Sequence, residues 1–175
     1  GFNPHIVVKP YSSDINQSFK LKLKEKYKNF KIIESFSGEA VIMNNDLIKG
    51  IFVKGIDEKY KDNFKFIENN LIDGNFDNFK QGKIILGKEL AINLEVVVGD
   101  KINLMSSAFA TTPLGGLPIQ ENFEIAAVFS SGFFEFDQRV VFLNLQDSLS
   151  FFDKTKNNLS LEIKLEDPLK ADFYK

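Results

Sequence analysis

The chain has 175 residues, of which 43% are hydrophobic and 26% are charged, and its formal net charge is −2. This balance is that of a folded globular domain, and lysines interleaved with carboxylates argue against nucleic acid as a partner. Because cysteine is absent, disulfides, thiolate chemistry and cysteine-ligated metals are excluded, and no apolar run approaches the roughly eighteen residues of a transmembrane helix.

The first part of the chain predicts a β-α-β unit. Residues 5–9 form a β-branched run that predicts a strand, and Ser13-Asp14 offers an N-cap for a helix. A helix over residues 14–28 is then predicted by apolar residues at near-helical spacing, namely Ile15, Phe19, Leu23 and Tyr27. Residues 30–36 return to strand-like alternation and complete the unit.

The middle of the chain is rich in predicted strands. Two β-rich runs, residues 39–43 and 47–53, are joined by the turn-forming cluster Asn44-Asn45-Asp46. The later predicted elements are, in order, short helical turns over residues 57–69, turns over 71–81, a strand over 83–86, a short helix over 87–93, a tight turn at Gly99-Asp100, and strands over 101–105 and 123–130.

The last part of the chain repeats the opening pattern. It predicts a strand over residues 139–144, a short helix over 146–153 and a strand over 159–165, after which Asp167-Pro168 is typical of a helix start. With a β-α-β unit at each end and a β-rich insertion between them, the predicted fold class is α+β in two lobes. One lobe combines residues 1–40 and 132–175, and the other comprises residues 41–131.

Motifs for catalysis are weak. Residues 82–88 fit the Gly-x-x-x-x-Gly-Lys part of a phosphate-binding loop, but Glu89 stands where Ser or Thr is needed, and the intervening residues are strand-like. The only histidine, His5, lies in a predicted strand, and Asp73 and Asp77 lack the spacing of a calcium loop. We therefore expect no catalytic residues, no metal and no cofactor.

The segment 102–120 contains no charged residue, although a quarter of the chain is charged. Two prolines flank Leu114-Gly115-Gly116-Leu117, and strand-like residues lie on both sides, so a long β-hairpin is predicted with Pro113, Leu114 and Leu117 near its tip. Such a hairpin either folds back and buries its apolar groups, or exposes them as an interaction site that the prolines pre-order.

Eight segments of the sequence carry a resemblance to a known family. The chain resembles the large periplasmic domain of lipoprotein-releasing ABC-transporter permeases, the LolC/LolE type within the MacB-like superfamily. The matching segments, in chain order, are Gly1 with His5-Ile6-Val7-Val8, Val53-Lys54-Gly55-Ile56, Ile72-Asp73-Gly74, Ile84-Ile85-Leu86-Gly87-Lys88-Glu89-Leu90-Ala91, Val98-Gly99-Asp100-Lys101-Ile102, Thr112-Pro113-Leu114-Gly115-Gly116-Leu117-Pro118, Phe129-Ser130-Ser131-Gly132-Phe133-Phe134-Glu135-Phe136-Asp137 and Leu165-Glu166-Asp167-Pro168-Leu169-Lys170-Ala171.

This resemblance implies a domain excised from the periplasmic region between the first and second transmembrane helices of an inner-membrane permease. The lobe of residues 1–40 and 132–175 is then Porter-like, and the inserted lobe of residues 41–131, with its hairpin 102–120, is Sabre-like. It also implies a non-catalytic domain whose assembly releases lipoproteins from the inner membrane, with ATP hydrolysis in a separate cytoplasmic subunit.

Site residues follow from the same resemblance. Thr112-Pro113-Leu114-Gly115 matches the Thr-Pro-Met-Gly of a hairpin, the hook, that engages a soluble LolA-like lipoprotein carrier. The implied hook comprises Phe109, Thr112, Pro113, Leu114, Gly115, Leu117 and Pro118. A neighbouring basic patch, the pad, corresponds to Asn103, Gln120 and Glu121, of which only the glutamine matches.

The expected partners are the carrier, a second permease subunit or a second copy of the chain, and the cytoplasmic ATPase, with no nucleic acid. Residues 130–137 are more similar to the second permease type, which is compatible with a hybrid that acts as a homodimer. The alternative hypothesis is a MacB-like mechanotransmission domain of an efflux or export transporter that has no soluble carrier.

Overall fold

The structure is a computed structural model that describes residues 6–8, 18, 21–22, 25, 30–59 and 64–165. The four described residues between 18 and 25 are helical, in agreement with the helix predicted there; the rest of that helix, His5 and the helix start at Asp167-Pro168 lie outside the described residues. The described strands are β1 (Ile6–Val8), β2 (Phe30–Asn44), β3 (Leu47–Ile56), β4 (Leu71–Gly74), β5 (Lys83–Gly87), β6 (Lys101–Thr112), β7 (Gly115–Phe129), β8 (Val140–Asn144) and β9 (Ser160–Leu165).

Short helices connect these strands. The described α-helices are α1 (Lys65–Asn69), α2 (Lys88–Asn93), α3 (Phe134–Asp137) and α4 (Leu145–Phe151), and single 3-10 turns occupy Phe76–Asn78 and Lys156–Asn158. The predicted α+β class is therefore confirmed. No helix in the described part of the chain has both the length and the hydropathy to cross a membrane.

Six of the strands close on themselves. β2 pairs with β3 and β6, β3 with β8, β8 with β5, β5 with β7, and β7 with β6. The closure gives hydrogen-bond partners to backbone N–H and C=O groups that would be unpaired at the edges of an open sheet. β4 adds to β7 outside this ring, and β1, β9 and the first part of β2 form a three-stranded antiparallel sheet beside it.

The core fills the inside of the ring. Alternate side chains of the ring strands are buried there, among them Ile42, Val53, Leu86, Leu104 and Phe123. Helix α4 covers one end, where the Phe151 ring contacts Phe123 edge-on with centroids 6.2 Å apart. The packing of α4 against β3 requires Gly55, because a Cβ at this position would lie 2.0 Å from the Ser148 hydroxyl oxygen of α4.

A second cluster covers part of the outside of the ring. Ile67 of α1 and two phenylalanines of the following turns, Phe76 and Phe79, pack onto Phe129 and Phe142. The outer surface formed by β2, β3, β6 and β7 has no such cover in the described part of the chain. We call it the open face.

Two strands predicted over residues 30–36 and 39–43 are one continuous strand, β2, so the predicted break at Gly38 is wrong. Gly38 makes room within β2 for the Phe152 ring, since a Cβ there would come within 2.7 Å of it. The predicted turn at residues 44–46 and the strand and helix over residues 83–93 are confirmed. Residues 83–87 thus form a buried strand rather than a phosphate loop.

The lobe division stays a prediction. Two observations bear on how such lobes would join: β2 runs through residue 40 without interruption, and β8 pairs with both β3 and β5. The ring therefore combines strands from both predicted segments.

Candidate functional site

The segment 102–120 forms the predicted hairpin, in which β6 and β7 pair from Lys101–Glu124 to Thr112–Gly115. Up to Ser106, β6 also pairs with β2, and β7 pairs with β5 only from Glu124 onward. Beyond these points the two arms pair only with each other among the described residues. The hairpin therefore extends away from the ring.

The turn at the hairpin tip is held in place by one side chain. The Thr112 hydroxyl donates to the Gly115 carbonyl oxygen at 2.7 Å and accepts from the Leu114 amide at 3.2 Å. Gly115 has a φ of 109°, a left-handed conformation that favours glycine, and Pro113 has its φ restricted by its ring. These constraints pre-order the tip and lower the entropy lost on binding.

Apolar side chains of the hairpin are exposed. Leu114 at the tip is 92% exposed, Phe109 on β6 is 60% exposed, and Leu117 on β7 is 51% exposed. The tip is therefore not folded back onto the body of the domain. A projecting, uncharged, apolar surface of this kind marks an interaction site on a folded domain.

Strand alternation divides the hairpin residues between two faces. Phe109 pairs with Pro118 on the open face. Its side chain borders Gly116, where an added Cβ would lie 3.7 Å from the Phe109 Cβ. Leu117 and Ile119 lie on the other face, and Ile119 packs onto the core inside the ring. The register shift between Met105 and Phe109 inserts two extra residues, so Phe109 stays on the same face as Met105.

The three pad-like residues do not lie together. Asn103 and Gln120 are on the open face, where the Asn103 amide donates to the Asn122 side chain at 3.0 Å and the Gln120 amide lies 3.8 Å from the Met105 sulfur. Glu121 pairs with Leu104 and faces the opposite side, towards α4. The structure thus brings Asn103 and Gln120 to one surface and separates Glu121 from them.

Glu121 belongs to an acidic environment beside α4. Burial raises the pKa of the Glu121 carboxyl, and the charge of Asp147 on α4 raises it further. Burial also raises the pKa of Asp147, although the Gly82 amide donates to its carboxylate at 2.7 Å and thereby lowers it, and the charge of Glu58 adds to the increase. This side of the hairpin base is therefore acidic, in contrast to the basic pad that the resemblance implies.

Sequence reasoning missed part of the open face. Val41 and Met43 on β2 pair with Met105 and Asn103 of the hairpin base, and Ile48 on β3 pairs with Met43 and is 60% exposed. All five share the face that carries Phe109. The apolar alternation of β2 could have indicated them, but only the β2–β6 pairing places them beside the hairpin.

A second exposed apolar feature lies between β7 and β8. Phe133 and Phe134 are 71% and 58% exposed where the loop after β7 enters α3, and the buried Asp137 carboxylate of α3 holds this loop. That carboxylate accepts from the Ser131 amide at 2.9 Å and from the Ser130 hydroxyl at 3.2 Å. The loop is thus ordered locally while its phenylalanines face solvent.

Two open clefts on the described part of the domain are lined by both polar and apolar side chains. One cleft of about 410 Å³ adjoins the start of α4, where the Asn144 amide donates to Glu58, and another of about 520 Å³ adjoins Phe52 and Arg139. Among the residues that the structure describes, no three acidic or histidine side chains are grouped to hold a metal ion. The hairpin remains the most distinctive candidate site.

No family model matches the chain. Three curated relatives are lipoprotein-releasing system transmembrane proteins. LolC of Xylella fastidiosa is 34% identical over 97 residues, covering 54% of this chain and 24% of the relative. LolC of Neisseria meningitidis is 27% identical, with 77% and 33% covered, and LolE of Haemophilus influenzae is 26% identical, with 75% and 32% covered. The chain thus spans between a quarter and a third of the length of these relatives.

Two solved structures are similar in fold. The extracellular domain of the noncanonic ABC-type transporter YknZ from Gram-positive bacteria gives a TM-score of 0.58 at 14% identity, with 96% of this chain and 88% of that chain covered. The periplasmic region of MacB from Actinobacillus actinomycetemcomitans gives 0.56 at 15% identity, with 92% and 73% covered. The chain is thus similar in sequence to LolC and LolE lipoprotein-releasing permeases and similar in fold to the periplasmic region of MacB.

Proposed function

We propose that this domain lies on the periplasmic side of the inner membrane and recruits a soluble lipoprotein carrier through the hairpin 102–120. The most direct support is the uncharged hairpin tip, which the hydrogen bonds of the Thr112 hydroxyl order and whose Leu114 is 92% exposed. The relatives are named as components of lipoprotein-releasing systems, which supplies the cargo class. The domain itself is non-catalytic in this proposal, and a separate cytoplasmic subunit hydrolyses ATP.

The hook residues in this proposal are Phe109, Thr112, Pro113, Leu114, Gly115, Leu117 and Pro118. Asn103 and Gln120 contribute from the open face beside the hook. Glu121 makes no contact with the carrier in this arrangement, because it faces α4 on the other side of the hairpin base. The full-length permease pairs with a second permease subunit or a second copy of itself.

A second candidate is mechanotransmission in an efflux or export transporter without a soluble carrier. The fold likeness to the MacB periplasmic region favours it. In that case the hairpin has no soluble partner.

The deciding experiment measures binding of the 175-residue chain to the periplasmic lipoprotein carrier of the same organism by calorimetry. The double variant Pro113→Ala with Leu114→Asp places a charge on the apolar tip and should weaken binding by at least roughly tenfold. A matched control is Ile92→Asp on α2, which adds the same charge at a site that is 59% exposed and outside the hairpin.

Equal binding by the double variant and the wild type would rule out the hook. Absence of binding by the wild type would favour the mechanotransmission candidate. Loss of binding in the Ile92→Asp control would show that added negative charge, and not the tip, explains the effect.

A further inference from the structure

Both outer edges of the hairpin lack a neighbouring strand in the described part of the chain. On the β6 side, pairing with β2 ends at Ser106, and on the β7 side, pairing with β5 begins at Glu124. Among the described residues, segments 107–112 and 115–123 therefore each have one edge without a paired strand. Such edges present N–H and C=O groups onto which another strand can pair.

The register determines which backbone groups point outward. Thr112 and Gly115 are partners across a two-residue turn, and partners in that position exchange hydrogen bonds with each other. Hydrogen-bonded and non-hydrogen-bonded pairs alternate along an antiparallel ladder, so Ala110 and Leu117 form the next hydrogen-bonded pair. The backbone groups of these four residues point inward.

The intervening pairs direct their backbone groups to the outside. These are Thr111 with Gly116, and Phe109 with Pro118. On the β6 edge, the amides of Phe109 and Thr111 are both outward donors. On the β7 edge, Gly116 supplies one, and Pro118 supplies none because proline has no N–H.

Pro118 therefore makes the two edges unequal. A proline at an outward position interrupts any ladder that a second strand would form on that edge, and prolines in sheets are found at such positions. The β7 edge is thereby protected against strand addition. The β6 edge has two consecutive outward positions and no proline from Ser107 to Thr112.

We propose that the carrier binds the hairpin by adding one of its β-strands to the β6 edge at Phe109 and Thr111. This inference rests on the proposed function and specifies its geometry. Main-chain hydrogen bonds to an added strand supply affinity, and side chains on alternate positions supply specificity. Phe109, which is 60% exposed, would flank the added strand on the open face.

The absence of charge on the hairpin defines the chemistry of the partner strand. No charged residue occurs from Ile102 to Gln120. A charged partner side chain placed against this surface would lose hydration without gaining an ion pair, so the partner strand carries uncharged residues with apolar side chains on one face. Binding should accordingly depend little on salt concentration.

Amide hydrogen exchange followed by NMR tests this geometry. In the complex with the carrier, the amides of Phe109 and Thr111 should exchange at least roughly tenfold more slowly than in the free domain. The Gly116 amide, which points outward on the opposite edge, should be unchanged and serves as the internal control. Equal slowing of Gly116 and Thr111, or no slowing of Phe109 and Thr111, would overturn the proposal.

A backbone variant gives an independent readout. Thr111→Pro removes one outward donor and leaves the inward hydrogen bonds of the hairpin intact, as Pro118 already does on β7. It should weaken carrier binding by roughly tenfold, whereas Thr111→Val, which keeps the amide and removes only the hydroxyl, should stay within about twofold. Equal binding by Thr111→Pro and the wild type would overturn the edge geometry.

The outcomes separate this inference from the proposed function. If the wild type binds and the tip double variant does not, but the exchange at Phe109 and Thr111 is unchanged, the hook stands and strand addition fails. If the wild type does not bind, both fail. If Phe109 and Thr111 become protected at high concentration without the carrier, the added strand belongs to a second copy of the chain, and the carrier is not its source.

Discussion

Thr112 and Gly115 are joined across the hairpin turn by a side-chain hydrogen bond of 2.7 Å to the Gly115 carbonyl oxygen. The same hydroxyl oxygen accepts from the Leu114 amide, so a single atom defines the turn that presents Leu114. The hairpin itself therefore orders the tip, since Leu114 is 92% exposed with respect to the described part of the domain.

Replacing Thr112 with valine should weaken carrier binding by roughly three- to tenfold, because the tip loses both hydrogen bonds and must be ordered on binding. The melting temperature should change little, since the turn is exposed. Calorimetric titration measures the first quantity and thermal unfolding the second. The neighbouring Thr111→Val is the matched control, and equal Kd values for the two variants would contradict a specific role for Thr112.

Replacing Gly55 with alanine should destabilise the domain by about 1–3 kcal/mol, because the new methyl group would lie 2.0 Å from the Ser148 hydroxyl oxygen and force α4 away from the ring. A methyl group at Gly50 on the same strand would meet no atom within 4 Å, so Gly50→Ala should be close to neutral. Urea unfolding compares the two variants. Equal midpoints would show that α4 adjusts without cost.

Glu121→Gln should stabilise the domain at pH 7. The pKa of Glu121 is raised above its ordinary value of 4.5 by burial and by Asp147, so the folded state binds this proton more tightly than the unfolded state does. The stabilisation that protonated Glu121 contributes is fully present below the pKa of this residue in the unfolded chain. It is lost as pH rises through the pKa that Glu121 has in the folded domain. The gain at pH 7 should be a few tenths of a kcal/mol, since solvent screens these partly exposed groups, and it should vanish below about pH 4.

Unfolding by urea at several pH values measures this difference. Glu124→Gln is the matched control on the same strand, because a hydrogen bond and the charge of Lys83 lower the pKa of Glu124. Its effect at pH 7 should have the opposite sign. Destabilisation by Glu121→Gln at pH 7 would contradict an acidic environment at the hairpin base.

Pro118→Thr should make the domain self-associate, because it restores an outward amide beside that of Gly116 and opens the β7 edge to strand addition. Sedimentation velocity at increasing concentration should show a larger average mass than for the wild type. Pro113→Ala, which removes the tip proline without adding a donor to either edge, is the control. Identical sedimentation of Pro118→Thr and the wild type would contradict a protective role for Pro118.

Much of the hairpin was predictable from local sequence. The loss of charge between Ile102 and Gln120, the two prolines and the strand-like flanks predict a projecting hairpin, and the structure confirms one with Pro113 and Leu114 in its turn. These signals act over a few residues. Turn geometry and strand propensity depend on neighbouring residues, so the sequence carries them directly.

The break predicted at Gly38 failed for a physical reason. In isolation a glycine between two strand-like runs is typical of a turn or bulge. Here its missing side chain makes room for the Phe152 ring, which reaches it from the far end of the chain. A contact between residues so distant in sequence leaves no local signal.

Local propensity and residue chemistry account for most of the strands, the hairpin and its uncharged apolar tip, and all of these can be read along the chain. The identity of the open face depends instead on contacts between distant segments. Gln120 and Glu121 are neighbours in sequence, yet the β2–β6 pairing places Gln120 on the open face, and the packing of α4 places Asp147 beside Glu121. Strand pairing and helix packing set these surroundings, and they thereby determine which side chains a partner can reach.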